Sequence, residues 1–237
     1  MELKIYRDKD EVAKQFSEYF SGLVEGKSIF HVALSGGSTP KIVFDLLAAD
    51  FSSKIDWNKI HFYWGDERCV PPTNDQSNYK MTVAHLFSKV DVPQEHIHRI
   101  LGENDPHKEA KRYGELLVEH LPSQNGTPQF DLVILGMGDD GHTASIFPHE
   151  IELWDSNENC EVAIHPDSGQ RRVTLTGKVI NNAKEVVFLV TGESKSEKIT
   201  AILEKKEGHM DYPASLVHPN SGSLVWFMDA DAAKELA

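Results

Sequence analysis

The stretch Phe130-Asp131-Leu132-Val133-Ile134-Leu135-Gly136-Met137-Gly138-Asp139-Asp140-Gly141-His142-Thr143-Ala144-Ser145 decides how this chain folds. Its apolar first part, residues 130–135, reads as a buried strand. Gly136, Gly138 and Gly141 follow with the spacing G-x-G-x-x-G, which is also the spacing of a dinucleotide-binding turn. The residues inside the turn argue against that chemistry. A carboxylate about 4 Å from a phosphate charge costs ~1 kcal/mol in water and ~4 kcal/mol at an effective dielectric of 20. Asp139 and Asp140 would impose that cost twice. Pro148 also comes seven residues after Gly141, which leaves little room for the helix a pyrophosphate needs. A carboxylate two residues before a histidine on a tight turn suits another role, because Asp140 can orient the His142 imidazole or share its proton. A solvated, Asp-rich surface turn fits the same residues, and the loop by itself does not choose.

Working outward, strands alternate with helices along nearly the whole chain. Asp8 with Glu11 three residues on resembles a capping box, and Val12, Phe16, Tyr19, Phe20 and Leu23 recur at helical spacing up to Gly26. Residues 28–34 read as a strand, and Pro40 suits the first turn of the helix after it. Further strands are expected at 60–64, 97–100, 130–135, 161–164, 172–176, 186–191 and 224–228. Further helices are expected at 79–87, 107–121 and 194–203. The pattern predicts an α/β fold: a doubly wound, mainly parallel sheet with helices on both faces, modified Rossmann-like, in one domain spanning 1–237. In such sheets ligands bind beyond the carboxyl ends of the strands. The loops richest in Gly, Ser and charge lie at those ends: 35–39, 65–68, 136–142 and 191–195.

Composition narrows the class. The chain has 237 residues, 40% of them apolar, enough for a sizeable core. A formal charge of −13 disfavours binding to nucleic acid or to an anionic membrane. A small anionic substrate stays possible, since local cationic sites can sit in a negative protein. Cys69 and Cys160 form no zinc-type spacing and no disulfide framework, which suggests a reducing compartment. Asp8, Asp10 and Glu11 stand where a signal peptide needs an apolar core, and no apolar run reaches membrane-span length. A soluble, cytoplasmic protein is expected.

Three more loops carry candidate chemistry. In Ser35-Gly36-Gly37-Ser38-Thr39-Pro40 the glycines let backbone N–H groups approach an anion, the hydroxyls add donors, and a helix N-terminus points at the same place. This reads as a phosphate cradle, although no G-K-[ST] follows, so it is not a Walker A loop. In Gly65-Asp66-Glu67-Arg68 the arginine could bind an anion, with Asp66 and Glu67 holding it, or could be a structural ion pair. Cys69 has no evident partner and reads as passive. Arg171 or Arg172 at a strand start and Lys195 at a strand end could close around a phosphate. His61, His96, His98, His165, His209 and His218 show no metal spacing. His96 and His98 alternate on the expected strand and read as an exposed face.

Taken together, "ALSGGSTP", "WGDERCVPPTNDQSNYKM", "GMGDDGHTASIFP", "RRVTLTGKVINNA" and "LVTGESKSEK" resemble, in that order, the family of 6-phosphogluconolactonases and glucosamine-6-phosphate deaminase/isomerases, and its lactonase branch in particular. The resemblance implies hydrolysis of 6-phospho-D-glucono-1,5-lactone to 6-phosphogluconate in the oxidative pentose phosphate pathway, with no cofactor and no metal. Its partner would be the phosphorylated sugar lactone. By position it implies that Gly36, Gly37, Ser38 and Thr39 hold the phosphate with Arg172 and Lys195. Arg68 and Asp66 would line the site, and His142 would be the base, supported by Asp140. Gln170 stands where a proline-rich approach to one arginine is expected; Arg172, directly before Val-Thr-Leu-Thr, is the chosen one of the pair. The deaminase/isomerase pattern continues from D-G-H to a glutamate before a proline, and here Phe147 stands in that place. The rival readings are a deaminase/isomerase on the same fold and a non-catalytic sugar-phosphate sensor.

Overall fold

A computed structural model describes residues 1–236. In chain order it contains β1 (Glu2–Tyr6), α1 (Lys9–Val24), β2 (Phe30–Leu34), α2 (Ser38–Asp50), β3 (Ile60–Trp64), β4 (Asp66–Arg68), α3 (Asn78–Thr82) and α4 (Pro106–His120). Then follow β5 (Ser123–Gln124), β6 (Thr127–Pro128), β7 (Leu132–Leu135), β8 (Cys160–Ile164), β9 (Arg171–Leu175), α5 (Gly177–Ile180), β10 (Glu185–Val190), α6 (Ser196–Leu203) and β11 (Ser223–Asp229). The central sheet has the order β1-β11-β10-β7-β2-β3, and every neighbouring pair is parallel. Every residue of β2 and of β7 is buried. Both faces of the sheet are therefore covered, as a parallel sheet flanked by helices requires. The α/β architecture is the expected one.

Local chemistry explains the boundaries. The Asp8 carboxylate accepts the Glu11 N–H at 2.9 Å, and Glu11 reaches back to the Arg7 N–H at 3.0 Å, so one free donor of α1 and the N–H just before its cap are satisfied reciprocally. Val12, Phe16 and Phe20 line the buried face of that helix.

Several elements depart from the sequence reading. β1 was not expected; it pairs with β11, so strands from both ends of the chain lie side by side. The expected helix 79–87 is α3 followed by a π-helical turn, Val83–Phe87. The expected strand at 97–100 shrinks to a single bridge between Ile97 and Phe62. The histidines on it are not an exposed face, because His98 is only 8% exposed, under Tyr63 and α4. The strands at 161–164 and 172–176 form, but outside the main sheet. β4, β9 and β8 build a separate antiparallel sheet.

The chain steps from β2 to β3 on one side and from β7 to β10 on the other. The reversal lies between β2 and β7, and the loops Ser35–Gly37 and Gly136–His142 leave the sheet side by side there. This is where a doubly wound sheet opens a crevice. The antiparallel sheet stands over it: the Leu175 N–H donates to the Gly65 carbonyl, and the Gly65 N–H donates to that of Leu34.

Candidate active site

A cavity of about 190 Å³ occupies the crevice. Ser35, Gly36 and Gly37 line one side, Gly136, Met137, Gly138 and His142 another, and Asp66, Arg68, Asn78 and Arg172 the third. No three or more His, Cys, Asp or Glu side chains among the described residues are grouped so as to hold a metal ion.

His142 is fixed by its own loop. The Gly141 N–H donates to the Gly138 carbonyl at 3.1 Å, and the Gly138 N–H donates to the His142 carbonyl at 2.9 Å. The Thr143 hydroxyl donates to the Gly136 carbonyl at 2.9 Å. Asp140 Oδ1 accepts the His142 backbone N–H at 3.1 Å and lies 2.6 Å from its Nδ1. Burial alone would raise the Asp140 pKa, but the hydrogen bonds and charge of His142, with its backbone N–H, outweigh it and bring it down to about 2. Asp140 is therefore an anion at neutral pH, and with the ring proton on Nδ1 it accepts a hydrogen bond from that nitrogen. The neutral ring then keeps an unprotonated Nε2, the arrangement of a general base. Gly138 has to be glycine: a Cβ there would lie 2.1 Å from His142 Nδ1 and 2.6 Å from Asp140 Oδ1.

The cationic side comes from the antiparallel sheet. Arg68 and Arg172 are paired in register across β4 and β9, so both project on one face. Arg171 is exposed and lies outside this cavity, as alternation along a strand requires. The Arg68 guanidinium donates to the Gln76 carbonyl at 2.6 Å, and its Nε is buried without a partner. The ion-pair reading of this loop needs correction. Glu67 instead accepts the N–H groups of Arg68, Asn78 and Tyr79, each at 2.8 Å, and the Ser77 hydroxyl at 3.0 Å, so it caps the start of α3. Arg172 is 9% exposed, and its Nε also lacks a partner. Burial lowers its pKa, with the Asp66 charge working in the opposite sense. The buried Arg172 and the half-buried Arg68, neither ion-paired with a carboxylate among the described residues, make a site prepared for an anion.

The glycine loop completes it. Gly37 begins α2 with φ 112° and no side-chain cap, so the free N–H groups of that helix end remain available to a ligand. Gly36 lies against Asn78; a Cβ there would come within 2.0 Å of Asn78 Oδ1. Ser38 is exposed at the helix start, whereas Thr39 is buried and its Oγ1 lies 2.8 Å from Thr191 Oγ1. Lys195 stands back from the cavity lining: its Nζ is 2.6 Å from Asp139 Oδ1, which also accepts the Ser194 hydroxyl at 2.8 Å. Phe147 is fully buried beneath the site, with ring centroids 4.6 Å from His142 and the Arg172 guanidinium 5.5 Å above it.

The structure thus gathers Gly36, Gly37, Asp66, Arg68, His142 and Arg172 around one cavity, with Asp140 directly behind His142. Ser38 and Thr39, on the first turn of α2, are not among its lining residues, and Lys195 is engaged with Asp139. Sequence reasoning passed over Asn78 and Ser145. Both lie inside the quoted motifs, but neither carries a charge that would single it out.

The family model described as glucosamine-6-phosphate isomerases/6-phosphogluconolactonase matches residues 8–226. The 6-phosphogluconolactonase of Treponema pallidum is 41% identical to this chain over 225 residues, covering 95% of this chain and 93% of that protein. The 6-phosphogluconolactonase of Haemophilus influenzae is 42% identical over 228 residues, covering 96% and 94%. Among solved structures, 6-phosphogluconolactonase from Trypanosoma brucei superposes with a TM-score of 0.87 at 26% identity, covering 100% of this chain and 98% of that one.

Proposed function

The chain belongs to the glucosamine-6-phosphate isomerase/6-phosphogluconolactonase family, and from that premise we propose that it hydrolyses 6-phospho-D-glucono-1,5-lactone to 6-phosphogluconate, with His142 as the base. The observation that carries the mechanism is the 2.6 Å contact between His142 Nδ1 and Asp140 at the edge of a cavity with two arginines. His142 Nε2 takes a proton from water as the water oxygen attacks the lactone carbonyl carbon. The carbonyl oxygen gains negative charge, which neighbouring N–H donors and cations stabilise. The intermediate collapses by breaking the bond from that carbon to the ring oxygen, and His142 returns its proton to that oxygen. The product is an open-chain hydroxy acid that ionises at neutral pH.

The phosphate, remote from the reacting carbon, supplies orientation. Arg68, Arg172 and the start of α2 at Gly36, Gly37, Ser38 and Thr39 are its proposed ligands. Lys195 joins them by exchanging Asp139 for the phosphate. Phe147 argues against the isomerase alternative, because a benzyl ring cannot move a proton between neighbouring sugar carbons. The pairing of β1 with β11 supports one catalytic domain over 1–237. No described helix is long and apolar enough to cross a membrane. Cys69 and Cys160 are unpaired, which supports the cytoplasmic setting.

The test is an assay in which glucose-6-phosphate dehydrogenase generates the lactone in place, and the appearance of 6-phosphogluconate is followed against the spontaneous opening rate. Turnover above that background is the expected result. Background rate only, or ammonia release from glucosamine 6-phosphate, would overturn the proposal.

A further inference from the structure

After His142 the chain makes an unusual detour. Ala144 takes φ 49°, a left-handed conformation that residues other than glycine seldom adopt, and the Ile146 N–H closes the bend on the Thr143 carbonyl at 2.9 Å. The bend delivers Ser145, which is fully buried. The Ser145 N–H donates to Thr174 Oγ1 in β9 at 3.1 Å. Its hydroxyl donates to Asp66 Oδ2 at 2.6 Å and accepts from Arg172 Nη1 at 3.4 Å. A hydroxyl has one proton to give and lone pairs to receive, so both bonds can form at once.

This serine stands between two opposite charges. Asp66 is 6% exposed and Arg172 is 9% exposed, yet among the described residues they form no ion pair. Away from water, direct pairing is the strong alternative. It would draw the guanidinium onto Asp66 and neutralise its charge toward a ligand.

We propose that Ser145 is a positioning residue: by occupying the space between Asp66 and Arg172 it keeps the guanidinium unneutralised and directed at the substrate's phosphate, and it fastens this cationic side to the loop that carries His142. The inference rests on the reading of the cavity as a phosphorylated-lactone site. One side chain would then couple β4, β9 and the base loop, so that the anion grip and the base keep a fixed separation.

Ser145→Ala removes the hydroxyl with little change in volume and lets Asp66 capture Arg172. The KM for the phosphorylated lactone should rise about ten-fold, the effect of losing one hydrogen bond to a charged group. The kcat should change much less, and the Kd for inorganic phosphate, by calorimetry, should rise in parallel with KM. In an Asp66→Asn background, where the captor is already gone, adding Ser145→Ala should change both constants much less than it does in the wild-type background. An unchanged KM in Ser145→Ala, or the same loss when Ser145→Ala is added to Asp66→Asn, would overturn the proposal and leave Ser145 a purely structural residue. Should Ser145→Ala fail to fold, Ser145→Cys, with similar volume and weak hydrogen bonding, replaces it with the same expected split. If the wild-type chain opens no lactone, the assigned function fails by itself. The phosphate titrations then still decide the matter, since an equal Kd in wild type and Ser145→Ala, or no phosphate binding at all, rejects the role of Ser145.

Discussion

Histidines stand at both ends of the central sheet, in opposite surroundings. His142 lies beyond the carboxyl ends of the strands, on a glycine turn, with one ring nitrogen facing a carboxylate and the cavity beside it. His31 and His61 are neighbours near the starts of β2 and β3, and His96, His98 and His120 join them. There the rings meet one another. His61 Nδ1 lies 3.1 Å from His98 Nε2, the rings of His61 and His96 stack at 3.9 Å, and Tyr63 stacks on His98 at 4.5 Å. The nearby carboxylate, Asp131, accepts the backbone N–H of His31 and pairs with Lys184. Burial first, and the charges of the other histidines second, push His61 and His98 down to about 4. An imidazole becomes a base when one nitrogen is held by an anion and the other is free to reach substrate. In the cluster, contact with other rings leaves no such freedom, and the histidines serve as packing.

Exchanging roles should therefore fail in one direction only. His142→Asn should lower kcat by on the order of 10²–10⁴-fold, the usual contribution of a positioned base, with thermal unfolding near that of wild type. His98→Asn should do the reverse, leaving kcat close to wild type and lowering Tm. A His142→Asn variant that retained wild-type turnover would remove His142 from the mechanism and end the contrast.

Asp140→Asn makes the site end more like the cluster, since it takes the anion away from His142. The carboxamide can present its NH2 to Nδ1 and select the wrong tautomer. A kcat loss of about 10- to 100-fold is expected, the scale of a hydrogen bond to a charged group. Steady-state kinetics with little change in KM would support this; an unchanged kcat would show that the loop backbone alone orients the ring.

The cationic side should respond in KM. Arg172→Ala, in a lining position, should raise KM for the phosphorylated lactone about ten-fold or more, and Lys195→Ala should raise it less, because that ammonium must first leave Asp139. The unphosphorylated gluconolactone, which lacks the gripped group, should show neither effect. Equal losses on both lactones would assign these side chains to the fold.

What was legible in the sequence follows the range of each interaction. The strand at Leu132–Leu135, the glycine turn and the Asp140–His142 pair are encoded within a dozen residues, so their reading needs no partner from elsewhere. β1 escaped notice because a five-residue edge strand with Glu2 and Lys4 on it has no apolar run. The antiparallel sheet escaped notice because β4 is three residues long and its partner β9 lies far along the chain. The same distance hid Ser145 between Asp66 and Arg172, and it placed Lys195 on Asp139. His98 was misread because alternation tells which residues share a face, while the covering of that face by Tyr63 and α4 is a tertiary fact.

The smallest expected effect concerns acid stability. His61 and His98 titrate near 4 in the folded chain, against about 6.5 in an unfolded one. Above pH 6.5 they are neutral in both states and contribute no pH dependence. Between about 6.5 and 4 the unfolded chain binds protons that the folded chain refuses, so stability falls as pH drops through this window and levels off below it. His98→Phe keeps a ring against Tyr63 but removes one of these titrations. Its Tm should fall less than that of wild type between pH 7 and pH 4.5, by a difference on the order of a few degrees. The candidate catalytic cavity lies at the other end of the sheet, so kcat/KM should be the same in both proteins at every pH where both stay folded. A different kcat/KM profile in His98→Phe would mean that the two ends of the sheet are coupled, and a Tm profile equal to that of wild type would mean that the cluster is not what makes the fold acid-sensitive.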